Sequence, residues 1–249
     1  MKKIISLLAV ISILLGIFTC SASAATVTMT DAEYEAAVAE IMSGYKNDPE
    51  AAVQALAQLD TTLIEEPQIT EYYSGNNARS TSPSNYTHTV YSFKRGGSNV
   101  YYLQWSLSAN KSEIAPGPLD YCSLEWDNSY ASYYLSSGDD VMTTVQERKT
   151  GIVLFNIEDK KLDKGEYTYG TVQVKPKKSG WMEYGSKYVH TYTSLLVSGS
   201  ATYSFSPSAT LNSLGVATLG VTGNYGFTVN VSSQTNQWQI WTDNAVNLP

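Results

Sequence analysis

The feature that most constrains the fold is an alternation of apolar and polar side chains that recurs through most of the chain. Leu103, Trp105 and Leu107 alternate with polar residues. The same pattern returns over residues 122–126 and, most clearly, over 217–231. Successive side chains of a β-strand point to opposite faces of its sheet. The alternation therefore predicts strands that have one face on a core.

Turn-forming residues separate these strands at intervals of about ten residues, as in antiparallel sandwiches and barrels. A parallel sheet would need a helix between consecutive strands, and no helical pattern follows residue 64. We therefore predict a mostly β fold with an antiparallel β-sandwich or barrel-like body. The predicted strands are 87–93, 100–108, 122–126, 130–135, 141–147, 151–157, 167–175, 188–197, 201–205, 217–231 and 238–241.

Residues 26–64 have a different pattern, with apolar residues at helical spacings of three and four. Thr30 and Glu33 match a capping box. Asp48 and Pro49 restart the pattern as a helix cap and a first-turn proline. This predicts a short N-terminal helical hairpin ahead of the β body. Helices this short are marginal alone, so we expect them to pack on the β body.

The first residues form a three-part export signal. Lys2 and Lys3 precede an apolar run over 4–18, and Ala22 and Ala24 supply the small residues of a cleavage site. We expect cleavage after Ala24, secretion, and no stable membrane anchor. The predicted organisation is a signal peptide at 1–24, a helical segment at 25–64, a polar linker at 65–86 and an all-β domain at 87–249.

The chain contains two cysteines, Cys20 and Cys122. Lipid attachment at Cys20 would need small residues ahead of it, and Phe18 is bulky, so we favour cleavage of the signal over lipidation. The remaining Cys122 cannot form a disulfide within the chain. It alternates on the same face as Leu124 and Trp126, so we expect a buried, unreactive thiol.

The net charge of −7 argues against nucleic-acid binding, which needs clustered cations. Lys175, Lys177 and Lys178 do cluster around a proline just before Ser179 and Gly180. We interpret that cluster as a charged turn between two strands.

Two histidines, His88 and His190, lie in similar strand contexts. If their strands were neighbours, the imidazoles could share a metal with a carboxylate. No fixed ligand spacing supports this, and we expect half-buried histidines that bond to neighbouring hydroxyl groups. No nucleophile elbow is present, and no motif predicts a metal or a cofactor. We expect neither.

Paired carboxylates would support a secreted glycosidase, whose chemistry needs two carboxyl groups about 5–10 Å apart. Glu125, Glu166 and Glu183 lie in or beside predicted strands. Solvent-facing strand glutamates explain them as well. A glycosidase therefore remains an alternative function.

The chain is rich in aromatic residues with a polar group, with 19 Tyr and 5 Trp against 5 Phe. Such side chains stack on sugar rings and fill interfaces. We expect one ring of each tyrosine pair, such as Tyr101-Tyr102 and Tyr133-Tyr134, to be exposed. The candidate binding residues are Tyr101, Tyr133, Trp181 and Tyr184.

The leading hypothesis is a secreted, non-catalytic β-sandwich that binds a cell surface, a glycan or a protein. Besides the glycosidase, the run at 217–231 allows another alternative, a secreted pore-forming or antibacterial protein. An alternating hairpin without charge can insert into a bilayer. The same run fits a soluble sheet with Phe227 on its core face. The sequence leaves the oligomeric state open.

Overall fold

The computed structural model describes residues 29–70, 73–75, 86–110, 119–193, 201–205, 227–231 and 235–249. The chain divides into two compact units, Met1–Asp31 and Ala32–Pro249. The elements below belong to the second unit, apart from the first residue of helix α1. The predicted signal peptide, residues 1–24, lies outside the described residues.

Two helices open the described chain. Helix α1 spans Asp31–Ser43 and helix α2 spans Pro49–Gln58. The carboxylate of Asp48 accepts a hydrogen bond from the Ala51 backbone N–H at 3.0 Å, so the predicted cap of α2 is confirmed.

Sheet A contains six antiparallel strands in the order β1–β4–β5–β10–β7, and β2 pairs with β4. These strands are β1 (Thr61–Leu63), β2 (Gln68–Thr70), β4 (Tyr86–Arg95), β5 (Tyr101–Ala109), β7 (Ala131–Gly138) and β10 (Tyr167–Pro176).

Sheet B contains six antiparallel strands in the order β3–β14–β11–β6–β9–β8. They are β3 (Tyr73–Gly75), β6 (Asp120–Trp126), β8 (Thr143–Lys149), β9 (Ile152–Ile157), β11 (Gly180–Thr193) and β14 (Thr235–Leu248). A separate pair joins β12 (Ala201–Phe205) to β13 (Phe227–Val231). The predicted run 217–231 overlaps β13, and its part at 217–226 and the side chain of Phe227 lie outside the described residues.

The two sheets enclose one core, as the alternation predicts. Leu103, Trp105 and Leu107 of β5 belong to the same buried cluster as Leu124 and Trp126 of β6. Burial of such large side chains is the dominant favourable contribution to folding. The predicted fold class, an antiparallel sandwich preceded by a helical hairpin, is confirmed.

Helix α1 packs on the outer face of sheet A. The buried Glu35 carboxylate accepts a hydrogen bond from Gln173 Nε2 at 2.8 Å and another from the Ser137 hydroxyl. Tyr34 of the same helix packs against Phe93 and Tyr102, with ring centroids 6.0 and 5.5 Å away. The helix therefore covers a sheet face that the strand pattern alone leaves open to water.

This cover corrects one prediction. One ring of the pair Tyr101-Tyr102 was expected to be exposed, but both are buried, Tyr101 being 5% and Tyr102 4% exposed. Helix α1 covers Tyr102, whose ring contacts Tyr34. The pair Tyr133-Tyr134 behaves as predicted, since Tyr133 packs against the core and Tyr134 is 51% exposed.

The structure differs from the sequence pattern between residues 58 and 75. The helical pattern was expected to continue to 64, but α2 ends at Gln58 and Asp60 turns the chain with a φ of 53°. Strand β1 follows at once and pairs with β4. The predicted linker at 65–86 contains β2 and β3, which pair with sheet A and sheet B respectively. This pairing gives the backbone N–H and C=O groups of β2 and β3 their partners.

Candidate functional site

One polar cluster lies inside the sandwich, between the sheets. His88 of β4 extends toward sheet B, where its Nε2 lies 3.1 Å from Ser186 Oγ and 3.8 Å from Cys122 Sγ. Its Nδ1 lies 3.4 Å from Thr242 Oγ1. All four residues are fully buried. The predicted burial of Cys122 is confirmed.

Burial controls the ionisation of this cluster. It raises the pKa of the Cys122 thiol well above its usual value, and the hydrogen bond with Ser186 opposes only part of the effect. It lowers the pKa of His88 from 6.5 to about 3. A neutral thiol beside a neutral imidazole, both closed off from solvent, has no route to a substrate. His88 contacts the hydroxyl groups of Ser186 and Thr242, as predicted. Both histidines are fully buried rather than half-buried, because the two sheets close over them.

The second histidine lies in a separate buried network. His190 Nδ1 lies 2.8 Å from Asp120 Oδ2, and the Tyr188 hydroxyl bonds to the same carboxylate oxygen. The Thr191 backbone N–H donates to the other oxygen of Asp120 at 2.7 Å. Both His88 and His190 lie near the Tyr188 ring, with centroids 6.4 and 6.3 Å away. The two imidazoles therefore pack on one tyrosine and bond to different partners.

Within the described ranges, no group of three or more histidine, cysteine, aspartate or glutamate side chains is arranged to hold a metal ion. The helices of the same ranges include none that is long and apolar enough to cross a membrane.

Two of the three predicted carboxylates lie on neighbouring strands of sheet B, and the third lies just before a strand of sheet A. Glu125 pairs with Gly185 of β11, so Glu125 and Glu183 are diagonal neighbours on one sheet face. Glu125 is fully buried and accepts a hydrogen bond from Ser123 Oγ at 2.7 Å. Glu166 lies just before β10 of sheet A, whereas Glu183 lies on β11 of sheet B. Burial, followed by the nearby charges of Asp243 and Asp127, raises the pKa of Glu183. Burial also raises the pKa of Asp243.

The strand registers bring all four predicted binding residues to one end of the sandwich. Tyr101 of β5 and Tyr133 of β7 both pair with Val174 of β10. Strand β10 ends there, and β11 begins four residues later at Gly180. Trp181 and Tyr184 are the second and fifth residues of β11, so they lie at the same end of the sandwich.

These four residues differ in how far their side chains are exposed to solvent. Tyr184 is fully buried, Tyr101 is 5% exposed, and Tyr133 packs against the core cluster. Trp181 is 56% exposed and lies on the outer face of sheet B, opposite Asn247. Of the four, Trp181 is thus the residue whose ring is available to a ligand. The binding role of the set stays a prediction.

Cations cover the tyrosines at this end. Lys178 Nζ lies 3.8 Å from the Tyr130 ring centroid, and Lys175 Nζ lies 3.7 Å from that of Tyr134. The Arg148 guanidinium lies 4.2 Å from the ring of Tyr133. These distances are within the range of a cation–π interaction. We call the surface formed by Tyr130, Tyr134, Arg148, Lys175, Lys177, Lys178 and Trp181 the basic aromatic end.

Backbone bonds hold this end together. The Lys177 N–H donates to the Tyr130 carbonyl at 2.7 Å, which ties the β10–β11 turn to the chain ahead of β7. Lys177 Nζ donates to the Asn128 carbonyl at 2.5 Å. Gln173 pairs with Leu135 and Val174 pairs with Tyr133, so the register shift places a bulge at Tyr134 of β7. A bulge redirects the side chains beside it.

Sequence reasoning missed this arrangement, because it interpreted the lysines as an isolated charged turn. Two features of the sequence could have indicated it: the three lysines at 175, 177 and 178, and the tyrosines at 130, 133 and 134. The third partner, Arg148, reaches the surface only because edge strand β8 of sheet B lies against edge strand β7 of sheet A. No local pattern contains that contact.

Comparisons with known proteins concern the fold alone. No family model matches the chain, and no curated protein matches it. Among solved structures, the chain is similar to the sixth cohesin of scaffoldin B from Acetivibrio cellulolyticus, with a TM-score of 0.29 and 8% identity over 36% of this chain and 75% of that one. It is also similar to the seventh ScaB type I cohesin from Pseudobacteroides cellulosolvens, with a TM-score of 0.30 and 9% identity over 37% of this chain and 70% of that one.

Proposed function

We propose that this chain is a secreted, non-catalytic β-sandwich that binds a glycan of a cell surface through the basic aromatic end. The observation that carries the proposal is Trp181. Its ring is 56% exposed at the start of β11, three residues after Lys178, whose Nζ lies over the Tyr130 ring. An exposed indole on a rigid strand suits stacking on a sugar ring, and it orders few groups on binding.

The interior chemistry supports binding over catalysis. The thiol and both imidazoles are fully buried in the sandwich. Groups that could act as nucleophile or base there cannot reach a substrate in solvent. The described surface instead offers an aromatic ring and cations, which recognise a ligand without reacting with it.

Affinity electrophoresis tests the binding function. Native gels that contain β-glucan, xylan or polygalacturonate should retard the protein in at least one case. Trp181→Ala should weaken that retardation at least about tenfold, because a central tryptophan often dominates an interface. Val53→Ala is the matched control, since Val53 is a similarly exposed apolar residue, 49% exposed, on α2. Unchanged retardation of Trp181→Ala would contradict the proposal.

Secretion rests on the export signal at residues 1–24 and belongs to the same proposal. Intact-mass analysis of culture supernatant should find a chain that begins at Ala25. A retained Met1, or a lipid on Cys20, would count against release by cleavage.

Hydrolysis is a second candidate, favoured by two carboxyl groups beside Trp181. Glu183 pairs with Ala245, and Asp243 pairs with Gly185, so the two acids are diagonal neighbours on one sheet face. The Cα atoms of such neighbours lie about 7–8 Å apart, from which two side chains can bring their carboxyl groups to the separation of about 5–10 Å that glycosidases use. Release of reducing ends from the retained polysaccharide, abolished by Glu183→Gln, would replace the binding proposal with hydrolysis.

A further inference from the structure

We propose that the ligand of the basic aromatic end is an acidic polysaccharide, a glycan that carries a regular series of negative charges. This inference rests on the proposed function and names its ligand class. It starts from the contrast between one end of the sandwich and the whole chain, whose net charge is −7.

Cations from three separate segments converge at this end. Arg148 and Lys149 close strand β8, Lys175 lies near the end of β10, and Lys177 and Lys178 lie in the turn that follows. Contacts bring these segments together, because Arg148 lies over the Tyr133 ring, Tyr133 pairs with Val174 next to Lys175, and the Lys177 N–H donates to the Tyr130 carbonyl. Positive charge is thereby concentrated on one surface of an acidic protein.

Two described acidic groups near these cations already have partners. Glu147 lies 3.7 Å from Lys149 in an exposed ion pair. Asp127 is 5% exposed and accepts a hydrogen bond from the Ser129 N–H at 2.8 Å. Glu183 and Asp243 lie on the same outer face of sheet B as Trp181, further along β11 and β14, and they would repel an anionic chain that continued across that face. The favourable path for an anion therefore begins at Trp181 and runs over the β10–β11 turn toward Lys175 and Arg148.

The tyrosines hold the cations in place before a ligand arrives. Lys178 and Lys175 each lie within 4 Å of a ring centroid, and Lys177 donates to the Asn128 carbonyl and side-chain oxygens. A lysine on a free surface loses its rotamer freedom when it binds an anion. Side chains that are already restrained lose less, which is the advantage of preorganisation.

The aromatic part of the site indicates a sugar rather than a bare anion. Lys175 occupies a face of the Tyr134 ring, so that ring serves mainly to hold the cation. Trp181 lies three residues beyond Lys178 and is 56% exposed. A chain of charged sugars can place carboxylates on the lysines and one ring on the indole. A ligand without sugar rings would contact the lysines but would not stack on the indole.

Affinity electrophoresis of the full secreted chain tests the ligand class. Polygalacturonate is the probe, and its methyl-esterified form is the matched neutral glycan. We expect the apparent Kd to be at least tenfold lower for the acidic form, and 0.5 M NaCl to remove most of that difference because salt screens exposed charges. Polyglutamate, which carries charges without sugars, should retard the protein less than polygalacturonate.

The double variant Lys175→Gln/Lys178→Gln should lose most of the preference for polygalacturonate. Lys164→Gln is its control, since Lys164 is an exposed lysine in the turn before β10, at the opposite end.

The comparisons of salt concentration and of methyl-esterified glycan use the unchanged protein, so they test the ligand class even if the double variant folds poorly. Equal retardation by the neutral and acidic glycans would overturn this inference and leave the proposed function intact. Retardation by polyglutamate equal to that by polygalacturonate would also overturn it. No retardation by any glycan would overturn both.

Discussion

Replacing Gly170 by alanine should lower the free energy of unfolding by about 3 kcal/mol, at the upper end of the usual cost of overpacking a core. A Cβ at this position would lie 2.6 Å from Trp105 Nε1 and 2.9 Å from Phe155 Cε1. Both rings are fully buried, and they pack edge-to-face with centroids 5.6 Å apart. A close-packed interior leaves neither ring space to move.

Urea unfolding followed by fluorescence measures the effect. Gly44→Ala is the control, because a Cβ there would meet only the Ile41 carbonyl oxygen at 3.5 Å, an ordinary contact. That variant should unfold at nearly the wild-type midpoint. Equal urea midpoints for Gly170→Ala and Gly44→Ala would show that Trp105 and Phe155 do not pack against Gly170 as described.

Acid should destabilise the protein through His88 as the pH falls below about 6.5. The folded-state pKa of His88 is about 3, against 6.5 in the unfolded chain. Between these values the unfolded state binds the extra proton, so stability is full above pH 6.5 and falls as pH drops below it. At about 1.4 kcal/mol per pH unit, the loss reaches roughly 2 kcal/mol at pH 5 and more at lower pH.

Urea unfolding at pH 7, 6 and 5 checks this dependence. His88→Gln keeps a polar side chain near Ser186 and Thr242 but cannot titrate. It should be less stable than wild type at pH 7, and its free energy of unfolding should change much less between pH 7 and pH 5. Parallel pH profiles for the two proteins would contradict the buried, neutral imidazole.

The strand pattern was enough to predict the class of the fold. Alternation at 103–107 and 122–126 placed those side chains in the core correctly. The cap at Asp48 located the start of α2. Each of these signals is local, because the period of a strand and the orphan N–H groups of a helix are properties of a few adjacent residues.

The parts that could not be predicted depend on distant segments. Burial of Tyr102 requires α1, about seventy residues earlier, to lie on sheet A. The basic aromatic end requires Arg148 of sheet B to reach Tyr133 of sheet A. Strand order determines both contacts, and periodicity carries no information about strand order.

The central claim is that an acidic glycan binds at the basic aromatic end, and the indole N–H signals of the tryptophans test it most directly. During titration of the ¹⁵N-labelled protein with hexagalacturonate, the signal of exposed Trp181 should shift, assigned through Trp181→Phe. The signals of the buried Trp105 and Trp126 should stay in place. Binding of the hexamer without a shift at Trp181 would contradict the account.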